Sequence, residues 1–258
     1  MNTNPKYPNL EALINTIDIL RSPNGCAWDR EQTHATLKRN ILEESYEMVD
    51  AINSGDLDNL KEELGDVLLQ VVLHSQIAKE ENHFDIEDVA KRINEKLIHR
   101  HPHVFGDIKE DNPEKIIENW EKIKKQEKTE RKSQMDGISK AQSALMSAQK
   151  ISQRAVAVGF EWPNYQMLED TFLSEYQEFK QALLNNDREN MEEELGDILF
   201  SAVNLARYNK LDAEQALIKS NEKFMTRFRN MEKLSAKPLN EVSFEEYDEL
   251  WQKAKKLS

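Results

Sequence analysis

Apolar residues recur every three or four positions along most of this 258-residue chain, a spacing typical of amphipathic α-helices. The seven glycines and seven prolines fall mainly where this periodicity stops, so they mark short turns between long helices. No stretch of comparable quality alternates apolar and polar residues, as a strand would. The pattern therefore predicts an all-α fold. In the first half it predicts helices at about 10–21, 33–52, 57–79 and 86–100.

A second series of helices is predicted in the other half of the chain. The highly charged segment 113–132 separates the two series and carries Trp120 and Ile123 at helical spacing, so we expect a connecting helix there. Ser243 and Glu246 form a capping-box pattern at the start of a last helix. The helices of the second series are predicted at about 141–158, 168–184, 188–209 and 213–234.

One pattern of four carboxylates occurs twice. In each set two acidic residues lie three positions apart on one predicted helix and two more on the next, and the sets are 131 residues apart. The surroundings repeat as well, since Glu62-Glu-Leu-Gly-Asp66 answers Glu193-Glu-Leu-Gly-Asp197. A period this long indicates a duplicated domain and not a solenoid. The two quartets are Glu44, Glu47, Glu63 and Asp66, and Glu175, Glu178, Glu194 and Asp197.

The repeat predicts two tandem homologous helical-bundle domains of about four helices each, joined by the charged connecting helix. We expect the N-terminal domain to span residues 1–108 and the connecting helix and linker to span 109–138. The C-terminal domain is expected to span 139–258.

On a helical wheel each quartet borders an apolar stripe that we expect to be buried, with Leu64 and Leu195 within it. Consecutive helices joined by a short turn pack antiparallel, so four carboxylates should meet at one rim. Such a cluster needs cations to offset its repulsion. Gly65 and Gly196 lie inside these helices at a cost of about 1 kcal/mol relative to alanine, which suggests close approach by a neighbouring helix or a ligand.

Oxygen ligands without sulfur or imidazole suit Mg²⁺, with Mn²⁺ as a possible substitute. The second repeat contains no histidine, and neither carboxylate quartet contains the Glu-x-x-His motif of di-iron bundles. Because Mg²⁺ completes its shell with water and phosphate oxygens, a phosphorylated substrate is indicated. Lys96 with Arg100, and Lys223 with Arg227, stand four positions apart after each quartet and could bind such phosphates.

The charge and the apolar stretches exclude several classes of function. A net charge of −13 is opposite to what nucleic-acid phosphates require, so we expect no nucleic-acid partner. The apolar runs are too short to span a bilayer. The first residues lack a basic start followed by an apolar run, so we expect no secretory signal, no membrane association and a cytoplasmic protein.

The quartets, together with three further motifs, resemble the MazG family of nucleoside triphosphate pyrophosphohydrolases. These motifs are Gly25-Cys-Ala-Trp-Asp29, Arg100-His-Pro-His-Val-Phe105 and Asn221-Glu-Lys-Phe224. The resemblance implies a homodimeric enzyme that uses Mg²⁺ to hydrolyse nucleoside triphosphates to monophosphates and pyrophosphate. It also implies broad base tolerance and a role in nucleotide-pool house-cleaning.

The resemblance also assigns roles to residues, and it favours the C-terminal repeat as the catalytic site. Lys223 and Arg227 would contact the triphosphate, Trp251 the base, and Lys124 would contribute from the connecting helix. Asn190 stands where the family often has a lysine. The implied catalytic and metal-binding residues are Glu175, Glu178, Glu194 and Asp197, with Glu178 as the candidate base.

The N-terminal repeat keeps the corresponding residues, Glu44, Glu47, Glu63, Asp66, Lys96 and Arg100. They fit a second catalytic site, a regulatory or structural nucleotide site, or a dimer interface. An alternative for the whole chain is a non-catalytic helical dimer that binds nucleotides or a partner and uses metal only for structure. That alternative predicts nucleotide binding without pyrophosphate release.

Overall fold

The computed structural model describes residues 6–127 and 132–257, apart from the side chain of Lys125. These residues form helices and turns without a strand, and the chain divides into two compact units, Met1–Thr129 and Glu130–Ser258. The predicted all-α, two-domain fold is confirmed. The first unit contains α1 (Pro8–Arg21), α2 (Ala27–Glu31), α3 (Lys38–Ser54), α4 (Leu57–Glu80), α5 (Ile86–Arg100), α6 (Pro102–Phe105) and α7 (Pro113–Gln126).

The second unit has the same central feature as the first, a hairpin of two long helices. In the first unit α3 and α4 form the hairpin, with α1 and α5 packed on α4 and α7 packed on α5. In the second unit α9 and α10 form it, with α8 packed on α10 and α12 packed on α11. The helices are α8 (Ala144–Val156), α9 (Tyr165–Leu184), α10 (Arg188–Tyr208), α11 (Ala213–Leu234) and α12 (Phe244–Lys255), with a 3₁₀ turn at Leu239–Glu241.

Both hairpins reverse through the same kind of turn. Gly55 ends α3 with a left-handed φ of 73°, and Asn186, at the equivalent position, has a φ of 54°. An aspartate then caps the next helix, because Asp56 accepts from the backbone of Asn59 and Asp187 accepts from that of Asn190. These caps supply partners for helical N–H groups that have none within the helix. The turn thus fixes where each second helix begins.

The core of the first unit lies between α1, the start of α3 and the second half of α4. Buried polar groups hold the second unit together, since Ser152 and Asn204 are both below 5% exposed and hydrogen-bond to each other. Arg207 donates to Ser152 and to both carboxylate oxygens of Glu161. The buried apolar residues of the first core are Ile17, Leu37, Val72, Leu73 and Ile77.

Several helix boundaries differ from the sequence prediction, and the helices expected from residues 141 and 168 begin at Ala144 and Tyr165. The helix expected from residue 33 begins at Lys38, because Thr33 and Thr36 exchange hydroxyl and backbone hydrogen bonds in the turn before it. The charged helix α7 ends at Gln126; the predicted continuation through 128–131 lies outside the described residues. α7 belongs to the first unit, and the domain boundaries at 108 and 138 stay predictions.

The predicted burial of the apolar stripes is partly wrong. Leu64 is 50% exposed and Leu195 is 47% exposed, because the helices packed on each hairpin cover one flank and leave the other open. Gly65 and Gly196 border this open flank, and a Cβ built on either would meet no described atom within 4 Å. Close packing by a neighbouring helix of the described chain therefore does not explain these glycines.

Within the described ranges, no helix has the length and apolar character needed to cross a bilayer.

Candidate active sites

In the first unit the hairpin brings carboxylates from two helices together. Glu44 lies on α3, and Glu63 and Asp66 lie on α4. One carboxylate oxygen from each lies within 4.8 Å of the other two. Glu47, one turn after Glu44, is more exposed and adds its charge to the same cluster. The first predicted quartet is thus assembled at one place, as the antiparallel packing requires.

The electrostatics of this cluster are those of crowded acids. Partial burial, followed by the charges of Asp66, Glu47 and Glu63, raises the pKa of Glu44 above its ordinary value. The pKa of Glu63 is raised for the same reasons, first by loss of solvent and then by its acidic neighbours. Each of these two carboxylates is therefore costly to ionise without a nearby cation.

The second unit repeats the arrangement on α9 and α10. Carboxylate oxygens of Glu175, Glu194 and Asp197 lie within 4.8 Å of one another. Glu194 is only 9% exposed, and burial followed by the charges of Glu178 and Asp197 raises its pKa. The pKa of Glu175 is raised by burial and then by Asp197. The hydroxyl of Ser174 donates to Oε1 of Glu178 at 2.8 Å.

The donor set in both units fits a divalent cation. Each trio presents carboxylate oxygens only, close enough for one ion to be shared between two helices. Hard ions such as Mg²⁺ and Mn²⁺ prefer these donors, and a bound cation would offset the repulsion that raises the pKa values of Glu44, Glu63, Glu175 and Glu194. Each repeat thus has, at the equivalent position, a cluster of carboxylates that suits a divalent ion.

The predicted basic pairs differ in their surroundings. Lys96 and Lys223 are exposed near the middle of α5 and α11. Arg100 is only 6% exposed, and its guanidinium binds the carboxylate of Glu127. The guanidinium of Arg227 is partly buried and lies 5.9 Å from the centre of the Trp251 ring.

Trp251 packs α12 against α11. Its ring lies 5.4 Å from that of Phe224, and Nζ of Lys255 lies 5.8 Å from its centre. The Trp251 ring thus packs between the helices on one side and is partly exposed on the other.

Lys124 lies on α7 in the first unit, where its ammonium contacts Glu121 at 3.0 Å. Its contribution to the C-terminal site stays a prediction.

Sequence reasoning missed several residues that the structure places beside the predicted ones. For two of them, Trp120 and Lys255, the sequence holds a signal, because the 131-residue offset of the quartets also relates Trp120 to Trp251 and Lys124 to Lys255. In the structure, Arg100 lies 5.4 Å from the Trp120 ring, much as Arg227 lies against Trp251. The helix predicted as a connector therefore packs in its unit as α12 does. The missed residues are Trp120, Glu127, Ser174 and Lys255.

Comparison with known protein families now bears on this geometry. The family model of the MazG nucleotide pyrophosphohydrolase domain matches residues 32–105 and 164–231. The chain belongs to the MazG family. Each matched segment contains one carboxylate hairpin and the helix that follows it, so the duplicated hairpins are the two MazG domains of the chain. MazG enzymes generally need a divalent metal, and both acidic clusters suit one.

Relatives of similar length occur in bacteria. A protein of Thermotoga maritima named nucleoside triphosphate pyrophosphohydrolase/pyrophosphatase MazG is 47% identical over 249 residues, covering 95% of each chain. A nucleoside triphosphate pyrophosphohydrolase of Escherichia coli K12 is 42% identical over 257 residues, covering 96% of this chain and 97% of its own. The crystal structure of a mazG-related protein from Thermotoga maritima is 30% identical, covers 45% of this chain and 98% of its own, and gives a TM-score of 0.39.

Proposed function

We propose that this protein hydrolyses nucleoside triphosphates to nucleoside monophosphates and pyrophosphate, with Mg²⁺ as its cofactor and broad tolerance of the base. The enzyme class follows from membership of the MazG family and from 42–47% identity to full-length pyrophosphohydrolases. House-cleaning of the nucleotide pool is the corresponding role. Mn²⁺ is expected to substitute, because it accepts the same oxygen donors.

The observation that carries the proposal is the meeting of three carboxylates from two helices in each unit. In the C-terminal unit Glu175, Glu194 and Asp197 would hold the cation. When bound, Mg²⁺ neutralises charge on the triphosphate and favours ionisation of water. Water would attack a phosphorus of the α–β anhydride, the bond to the departing pyrophosphate would break, and Glu178 is the proposed acceptor of the water's proton.

The proposed roles of Lys223, Arg227 and Trp251 follow from the charge or the shape of each side chain. Lys223 and Arg227 would compensate the negative charge of the phosphates, as expected of cations four positions apart on one helix face. Trp251 offers a partly exposed ring, and stacking on an aromatic face discriminates little between bases. Broad base tolerance is therefore the expected consequence. We assign turnover first to this unit, with the N-terminal quartet as a second metal and nucleotide site.

The partner proposed for the open flank of each hairpin is a second copy of this chain. Three leucines of the first hairpin are 39–50% exposed, and their equivalents in the second hairpin are 47–53% exposed. Equivalent apolar rows left uncovered in both repeats indicate a shared covering surface, and closed dimers are the commonest way to supply one. The leucines are Leu42, Leu64 and Leu68, and Leu173, Leu195 and Leu199.

The test measures monophosphate and pyrophosphate production from a panel of triphosphates. We expect release by the wild type to require added Mg²⁺, and Glu178→Gln to lower it by about 10²–10⁴-fold while the helical circular dichroism spectrum is kept. Glu192→Gln, an exposed carboxylate on α10 outside the cluster, is the matched control and should retain activity. An equal loss in Glu47→Gln and Glu178→Gln would contradict the assignment of turnover to the C-terminal unit.

A second measurement reads metal binding without turnover. Mg²⁺ at about one hundred times its dissociation constant should stabilise the folded wild type by about 2.7 kcal/mol, seen as a rise in melting temperature. Glu175→Gln together with Asp197→Asn should remove part of that rise. Saturable nucleotide binding without any pyrophosphate release would instead support the non-catalytic alternative.

A further inference from the structure

The correspondence between the two repeats continues beyond the segments that match the MazG family model. α7 packs on α5 in the first unit as α12 packs on α11 in the second. On each of these last helices a tryptophan faces the arginine of the preceding basic pair, Trp120 for Arg100 and Trp251 for Arg227. An arginine that the site assignment gives to phosphate therefore lies against an indole ring in both units.

The first unit adds a carboxylate to this arrangement. Glu127 directly follows the last residue of α7 and accepts hydrogen bonds from Nε and Nη2 of Arg100. The Nε distances to its two oxygens are 3.2 and 3.1 Å. Nε2 of His99 lies 3.9 Å from the same carboxylate, and the charge of Lys96 also acts on it. Glu127 thus hydrogen-bonds to Arg100 and lies close enough to His99 and Lys96 to feel their charges.

The pair is well shielded from solvent. The side chain of Arg100 is 6% exposed and that of Glu127 is 25% exposed. The pKa of Glu127 is lowered, chiefly by its hydrogen bonds with Arg100, so the carboxylate is charged at neutral pH.

We propose that Glu127 is an internal competitor of the triphosphate at the N-terminal site. The guanidinium fork of arginine binds carboxylate and phosphate through the same pair of N–H groups, so Arg100 cannot serve both at once. A triphosphate that enters the N-terminal site has to displace Glu127 or bind without Arg100. Glu127 thereby lowers the affinity of the N-terminal site for the triphosphate.

This inference rests on the proposed function, because Arg100 matters here as a phosphate-binding residue. Its test therefore reads nucleotide binding at the N-terminal site and not turnover. The C-terminal site is first silenced with Glu175→Gln and Asp197→Asn. The probe is ATP with a methylene group in place of the α,β-bridging oxygen, titrated with Mg²⁺ in a calorimeter.

In that background Glu127→Ser, which removes the carboxylate, should tighten binding of the probe by about tenfold. Adding Arg100→Gln to Glu127→Ser should remove the gain, since the freed guanidinium is its source. Glu118, an exposed acid on α7, provides the control: Glu118→Gln makes the same change in charge as Glu127→Gln and should leave the affinity unchanged.

Unchanged or weaker binding in a folded Glu127→Ser variant would overturn the proposal and leave Glu127 as a structural partner of Arg100. If that variant does not fold, Glu127→Gln keeps the length of the side chain, removes its charge and gives the same reading. Loss of the fold in both variants also overturns the proposal, because a competitor has to be displaceable. If the competitor proposal fails, pyrophosphate release by the wild type would still support the proposed function. Failure of the one can therefore be distinguished from failure of the other.

Discussion

Ser174 and Glu178 lie one helical turn apart on α9, and the serine hydroxyl donates to the carboxylate at 2.8 Å. This bond holds one oxygen of the candidate base in place and leaves the other available. We expect Ser174→Ala to lower kcat by about tenfold, the lower end of the usual range for a residue that orients a metal-site carboxylate. KM should change little, because the serine makes no proposed substrate contact.

Steady-state kinetics of pyrophosphate release check this expectation. Ser174→Thr keeps the hydroxyl and should restore most of the lost kcat, which separates orientation of Glu178 from a general effect on the helix. A Ser174→Ala enzyme with wild-type kcat would show that Glu178 needs no such support.

For individual residues, the sequence predicts which carboxylates cluster better than it predicts which side chains form ion pairs. The quartets could be predicted because i, i+3 spacing and a short turn determine which carboxylates meet. Arg100 and Glu127 are 27 residues apart, and nothing local in the sequence predicts that they pair. The exposure of Leu64 was also missed, because a helical wheel identifies an apolar face without saying what covers it.

At the level of the helices and loops, an ion pair between α10 and the loop before α9 makes the stability of the protein depend on pH. We call this pair, Arg207 with Glu161, the clasp. Glu161 accepts from Arg207 at 2.5 and 2.7 Å, and these bonds are the main reason that its pKa lies below the ordinary 4.5. A carboxyl whose folded-state pKa is lowered contributes stability above the unfolded value, and that contribution is lost as pH falls through the folded value.

Glu161→Gln should therefore reduce the unfolding free energy at pH 7 by about 1–3 kcal/mol, the usual range for hydrogen bonds to a charged group. The difference between wild type and variant should shrink as the pH falls below 4.5. Urea denaturation followed by circular dichroism at both pH values measures it.

The surface pair of Glu249 and Lys253 is the matched comparison. Their side chains are 74% and 61% exposed, so Glu249→Gln should change stability by less than about 1 kcal/mol. Equal effects of the two substitutions, or a Glu161→Gln difference that grows in acid, would contradict the role of the clasp.

Element boundaries followed from capping residues where these were clear. The Ser243 capping box was predicted and is confirmed at the start of α12. The start of α3 was not predicted, because the hydroxyl bonds of Thr33 and Thr36 compete with helix formation in a segment whose apolar period already looks helical. α7 was interpreted as a connecting helix because of its high charge, and the correspondence of Trp120 with Trp251 was overlooked.

For the whole molecule, the exposed leucine rows lead to a prediction about assembly. Leu68→Glu with Leu199→Glu places charge on the open flank of both hairpins, which are 39% and 53% exposed at these positions. If a second copy covers these flanks, the dimer dissociation constant should rise at least about tenfold. Sedimentation velocity across a concentration series measures the change.

Leu184→Glu serves as the control, because Leu184 is 79% exposed at the end of α9, outside the repeated rows. It should leave the sedimentation profile unaltered. A wild type that sediments as a monomer at every concentration would remove the proposed partner, and the leucine rows would then need another occupant.

The left-handed turn at Gly55 and Asn186 has a consequence for how such chains can change over time. An inserted residue that extended either helix into this turn would shift the point where the chain reverses by roughly 100° about that helix, so the two pairs of acids would no longer face each other. We therefore expect the length of this turn to be inherited as strictly as the carboxylates that it brings together.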